Sequence, residues 1–189
     1  MKTPFEHFKS DISVVQIEEN LYEGNVSDMW SIGTTPNGGY TMALAAKAIS
    51  ESLEHKDPLI VTANYLNRVN FGKIDIKVET LPSTRSLSSA RATMIQDNEI
   101  KVIFTATFTD LSKSTGLNKA FKKEPIFEKY EDCHLHAFKE GFNPGLEKFI
   151  EKKYCSDSIW WKADDKIENK KAVLNLSLIH ISEPTRLLA

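Results

Sequence analysis

The block Trp30-Ser31-Ile32-Gly33-Thr34-Thr35-Pro36-Asn37-Gly38-Gly39-Tyr40 holds the residues best suited to chemistry in this chain. An Asn just ahead of a helical run is an N-cap, and the first amides of the helix it starts have no carbonyl partner within that helix. The amides of Gly38, Gly39 and Tyr40 then lie at the positive end of the helix dipole, where they can receive a carbonyl oxygen, a phosphate or a developing oxyanion. Two glycines let a substrate approach that backbone closely; equally, they make a tight entry from strand to helix. Trp30 and Tyr40 either line an apolar tunnel or belong to the core. Further along, Asn64 either faces the helix from a strand and touches a ligand or is hydrogen-bonded within its sheet. Arg85 either meets a phosphate or sits exposed in a turn.

A group to activate water is harder to find. Between Gly39 and Ser50 the sequence has no carboxylate, and Glu51 and Glu54 lie about three turns or more from the helix start at ~1.5 Å rise per residue. Cys133-His134-x-His136 contains metal-type residues without an established four-ligand spacing, so no metal is expected. Gly-x-Ser-x-Gly, phosphate-loop and dinucleotide fingerprints are all missing, and no cofactor is expected either.

These residues depend on the elements that hold them. Residues 13 to 26 alternate around Val14, Val15, Ile17, Leu21 and Tyr22, with Glu19-Asn20 as the turn of an opening hairpin. From Gly39 to about His55 strong helix formers dominate, and Lys47 is the only charge between Met42 and Ile49. A helix apolar nearly all round is a buried one. Four strand-like runs follow: Ile60 to Val69, Lys73 to Glu79, Leu87 to Gln96 and Ile100 to Thr109. In the second, apolar and charged residues alternate without a fault, and in the third Ala90, Ala92 and Met94 share a face whose small residues leave room for something bulky. A buried helix and a half-exposed antiparallel sheet share one core only if the sheet wraps the helix, which is an α+β architecture.

Twenty-six acidic against 24 basic side chains give a net charge of −2. That balance excludes a strongly cationic nucleic-acid or membrane-surface protein, and no run approaches the roughly 18 apolar residues of a membrane span. The N-terminus lacks the apolar stretch of a signal peptide. The reading is a soluble, cytoplasmic chain with Cys133 and Cys155 reduced and the Asn25-Val26-Ser27 sequon unglycosylated; a targeting signal further downstream would change the compartment.

The Trp30 to Tyr40 block, the Ala-rich helix behind it, Val61-Thr62-Ala63-Asn64-Tyr65-Leu66 and Thr84-Arg85-Ser86 together resemble the thioesterase-like double-hotdog family, relatives of acyl-CoA thioesterase II. The likeness covers about residues 10 to 110 and, more loosely, 125 to 175, where Trp160-Trp161 looks like a strand of a second hotdog. It implies a sheet wrapped round a central helix, two such units per chain, and hydrolysis of fatty acyl-CoA to free acid and CoA. Gly38 and Gly39 would then supply oxyanion amides, with Asn37, Tyr40, Trp30, Asn64 and Arg85 around the substrate. The resemblance puts the water-activating Asp on the helix of the second repeat, beyond Asn175, so this stretch alone is expected to be catalytically incomplete. A non-catalytic acyl-CoA or acyl-carrier binding module, or a purely structural hotdog, is the alternative.

The expected organisation is an N-terminal hotdog over 1–112, a linker over 113–125, the start of a second hotdog over 126–175 and a non-native tail over 176–189. Residues 176 to 186, Leu-Ser-Leu-Ile-His-Ile-Ser-Glu-Pro-Thr-Arg, read as a translated sequencing adapter. One hotdog leaves a sheet edge and an apolar flank open, so the partners expected are an acyl-CoA substrate and either a second copy or a second hotdog of the same chain.

Overall fold

Faultless alternation makes Gly72–Thr80 the clearest strand: Ile74, Ile76 and Val78 are buried, while Lys73, Asp75, Lys77 and Glu79 face solvent. The computed structural model describes residues 4–116, 119, 127–156, 159 and 173–177, and in order these form α1 (Pro4–Asp11), β1 (Val14–Glu18), β2 (Leu21–Val26), β3 (Ser31–Ile32), β4 (Thr35–Pro36), α2 (Gly38–Ser52), β5 (Asp57–Tyr65), β6 (Gly72–Thr80), β7 (Ser88–Gln96), β8 (Glu99–Thr109), β9 (His134–His136), β10 (Ile150–Tyr154) and β11 (Val173–Ser177). The chain divides into two compact units, His7–Gly116 in one and Leu117–Ala189 with the first six residues in the other. Among the described residues no helix is long and apolar enough to cross a membrane.

In the His7–Gly116 unit a six-stranded antiparallel sheet runs in the order β1-β2-β6-β7-β8-β5, and α2 lies against its concave face. The opening hairpin is present, with Asn20 at φ 62 in its turn. Asp97 and Asn98 both take positive φ, the geometry of a two-residue hairpin turn whose twist suits the strands β7 and β8 on either side. On β7, Ala90, Ala92 and Met94 are buried together, as their spacing predicts. Gly24 on β2 shows why small residues are needed under the helix: a Cβ there would stand 3.2 Å from a methyl of Leu44.

Several boundaries differ from the sequence-based expectation. The strand placed over 60–69 runs instead over Asp57–Tyr65. Pro58 is accommodated because β5 is a sheet edge with a register irregularity between Pro58 and Ile60. The strand stops at Tyr65 because the amides of Leu66 and Asn67 both turn to the carbonyl of Lys101. Helix α2 ends at Ser52 rather than near His55, with the Lys56 ammonium donating to the carbonyls of Ser50 and Leu53. It is also not enclosed all round. Leu44, Ala45, Ala48 and Ile49 are buried, whereas Met42, Ala43 and Ala46 are only half-buried on the flank beside the edge strand β5. The helix α1 has no counterpart in the sequence reading.

The other unit contains an antiparallel sheet in the order β11-β10-β9. Its strands are the short β9, the five-residue β10 and β11. Leu176 and Ser177, the first residues of the adapter-like string, pair with Glu151 and Ile150. The expected strand around Trp160-Trp161 lies outside the described residues.

Candidate functional site at the start of the central helix

A two-residue ladder, Ser31↔Pro36 and Ile32↔Thr35, folds the Gly33 turn back on itself and delivers Asn37 to the helix start. The Asn37 amide donates to the Trp30 carbonyl at 2.8 Å, and Asn37 takes an extended conformation with φ −62 and ψ 135. Its side-chain oxygen accepts from Gly39 N at 2.9 Å and Tyr40 N at 3.3 Å, so it is the N-cap that the sequence predicts.

That cap corrects part of the site expectation. Gly39 and Tyr40 do not offer open amides, because Asn37 uses both, and Asn37 itself positions the helix rather than reaching for a ligand. Gly38 is different. Its N–H has no acceptor among the described residues, while its carbonyl accepts from the hydroxyls of Tyr65 at 2.6 Å and Thr41 at 2.9 Å. The positive end of the helix dipole thus converges on one open backbone donor.

A cleft of about 450 Å³ opens at this amide, with Thr35, Gly38, Thr41, Tyr65, Asn67 and Arg68 on its walls. The Arg68 guanidinium is exposed and steadied by the carbonyl and hydroxyl of Thr34. Beside Gly39, a second, largely apolar groove of about 400 Å³ runs along the half-buried flank of α2 past Met42, Ala43, Ala46, Val61 and Phe108. An N–H and a cation next to an apolar channel suit a ligand with a polar carbonyl or anionic head and an aliphatic tail.

The remaining predicted residues are placed elsewhere. Trp30 is 4 % exposed, its ring edge-on to Phe8 with centroids 5.1 Å apart and its indole N–H given to the Asp11 carboxylate at 2.8 Å. Tyr40 is 3 % exposed. Its hydroxyl accepts from Ser27 N at 3.0 Å and faces the carbonyls of Asp11 and Asn25 at 3.0 and 3.3 Å. Burial pushes its pKa up to about 12. Both aromatics are core. Asn64 is exposed on the face of β5 away from α2, because its neighbour Tyr65 points to the helix and successive strand residues alternate. Arg85 is exposed in a cleft with His55 and Lys113. His55 follows the C-terminal end of α2, and Gly38 lies at the opposite end of that helix, about 21 Å from Ser52 along its axis.

Tyr65 and Arg68 are the site residues that sequence reading misses. Strand parity from Val61 and Ala63 would have put Tyr65 on the helix side. No periodic signal marks Arg68, which follows the strand end.

Comparison with known proteins agrees with this fold. Residues 26–109 match the family described as the acyl-CoA thioesterase N-terminal domain. The thioesterase-like protein TwmA of Talaromyces wortmannii is 29% identical over 92 residues, covering 47% of this chain and 26% of that protein. Among solved structures, a candidate thioesterase II from Thermobifida fusca aligns with TM-score 0.74 at 19% identity, over 83% of this chain and 58% of that one. A hot dog protein of unknown function from Alicyclobacillus acidocaldarius aligns with TM-score 0.66 at 21% identity, over 78% and 54%. The chain therefore spans about a quarter of that curated relative and little more than half of each solved structure. A sheet packed on an N-capped helix gives these residues the hotdog fold of the solved structures, and residues 26–109 match the N-terminal domain of the acyl-CoA thioesterase family.

Proposed function

We propose that this chain carries the acyl-binding part of an acyl-CoA thioesterase, with the thioester carbonyl received by Gly38 N–H and the acyl tail laid along the groove beside α2. The observation that carries the reading is the open Gly38 amide at the dipole end of α2, on the wall of the cleft that carries Arg68, with the apolar groove starting at the adjacent Gly39. In the reaction, water oxygen bonds to the carbonyl carbon, the C–S bond breaks, and CoA leaves as a thiol carrying a proton. Gly38 N–H and the helix dipole stabilise the oxygen as it gains charge. Arg68 attracts the anionic part of the CoA.

A carboxylate to activate the water is missing from the cleft lining among the described residues. That supports a second reading, an acyl-binding module without turnover, and it supports the expectation that these residues alone are catalytically incomplete. Two measurements separate the readings. The 189-residue chain should bind a non-hydrolysable acyl-CoA thioether by calorimetry, and full-length protein should release thiol from acyl-CoA. Gly38→Val, which points a side chain at the Tyr65 hydroxyl and the cleft, should lower kcat/KM by about 10². Binding without thiol release from the full-length protein would establish the module; an unchanged rate in Gly38→Val would remove the oxyanion role.

A further inference from the structure

The two cysteines of the chain meet in the unit that holds β9 and β10. The ladder pairs Lys152 with His136, Lys153 with Leu135 and Tyr154 with His134, and continuing that register by one residue sets Cys155 opposite Cys133. Residues directly opposite in an antiparallel pair have Cα atoms about 4.5–5.5 Å apart, inside the roughly 4.4–6.8 Å window that a disulfide spans. The two sulfurs already lie 4.0 Å apart and both are buried. Side-chain rotation alone can close that gap.

We propose that Cys133 and Cys155 form a dithiol that closes reversibly to an intramolecular disulfide, locking the start of β9 to the end of β10. By exchange with a low-molecular-weight disulfide such as oxidised glutathione, one cysteine thiolate attacks a glutathione sulfur and one glutathione thiolate leaves. The second cysteine then attacks the protein-bound sulfur and displaces the other glutathione. Two protein thiols are oxidised, one glutathione disulfide is reduced, and the two protons end on the two glutathione thiols.

Burial raises the Cys133 thiol pKa and the neighbouring Lys153 ammonium opposes that shift, so attack is expected to be slow but productive. A metal is the competing use of the same atoms, since the Glu128 carboxylate lies with both sulfurs inside 4.8 Å. Three donors are one short of a closed structural zinc site. The carboxylate is already taken by the Ser156 amide and hydroxyl, and the Lys153 ammonium disfavours a second cation.

The test equilibrates the 189-residue chain in glutathione buffers of graded ratio, quenches in acid, unfolds, alkylates with N-ethylmaleimide and records the intact mass. The expected result is loss of both alkylation adducts together, a monomer two hydrogens lighter, and a peptide joining Cys133 to Cys155. Cys133→Ser and Cys155→Ser should each retain a glutathione adduct that the parent chain does not. Two alkylatable thiols at every ratio, cross-links between chains, or glutathione retained equally by parent and variants would overturn the proposal. So would one equivalent of zinc held by the reduced parent against a chromophoric chelator and lost from both variants.

Discussion

Tyr40 joins three separate stretches of chain through one oxygen. Its hydroxyl holds Ser27 N and reaches the carbonyls of Asp11 and Asn25, so α1, β2 and the approach to α2 share a single hub. Tyr40→Phe removes these part-buried hydrogen bonds and should cost about 1 kcal/mol in denaturant unfolding. The same residue sets an alkaline limit. An unfolded tyrosine titrates near 10.0 and Tyr40 near about 12 in the fold, so the folded state holds the proton more tightly. That contribution is complete below pH 10 and lost as pH rises through about 12. Phenolate absorbance should show one tyrosine ionising last, and Tyr40→Phe should delete that step. Asn37 makes a cap rather than a ligand contact, and Asn37→Ala should lower stability by about 1 kcal/mol. If Asn37→Ala also abolished acyl-CoA binding with the helix intact, its side chain would be a ligand contact after all.

At the scale of elements, close approach of α2 to the sheet depends on residues that are nearly absent in volume. Ala90 and Ala92 on β7 are buried, and Gly24 on β2 nearly touches Leu44. Ala92→Leu pushes a branched side chain into that space and should destabilise by about 1–3 kcal/mol, with a lower denaturant midpoint at unchanged slope. Alternation in β6 and the small face of β7 could be read from residue order, since a strand repeats every two residues whatever it packs against. The flank of α2 could not. An Ala-rich helix has no polar face to reveal which side the sheet covers, so the half-buried line of Met42, Ala43 and Ala46 had no signature in the sequence.

At the scale of the whole molecule, β5 is an edge of the six-stranded sheet with no neighbouring strand on its outer side among the described residues, and Leu59 and Ile60 are more than half exposed. Unpaired backbone beside apolar side chains is a template for another strand, so the chain should elute above its monomer mass in size-exclusion chromatography. Ile60→Lys should shift it toward monomer; a parent chain that is monomeric at all concentrations would show the edge to be protected. Residue order alone determined the hairpin at Asn20, the cap at Asn37 and the alternation of β6, β7 and β8, because each depends on neighbours within a few positions. Tertiary structure decided which helix amide stays open, and that Tyr65 closes on Gly38 from 27 residues away while Asn64 beside it turns outward. Those outcomes rest on strand register and on where the sheet edge falls, which residue order within any one segment does not specify.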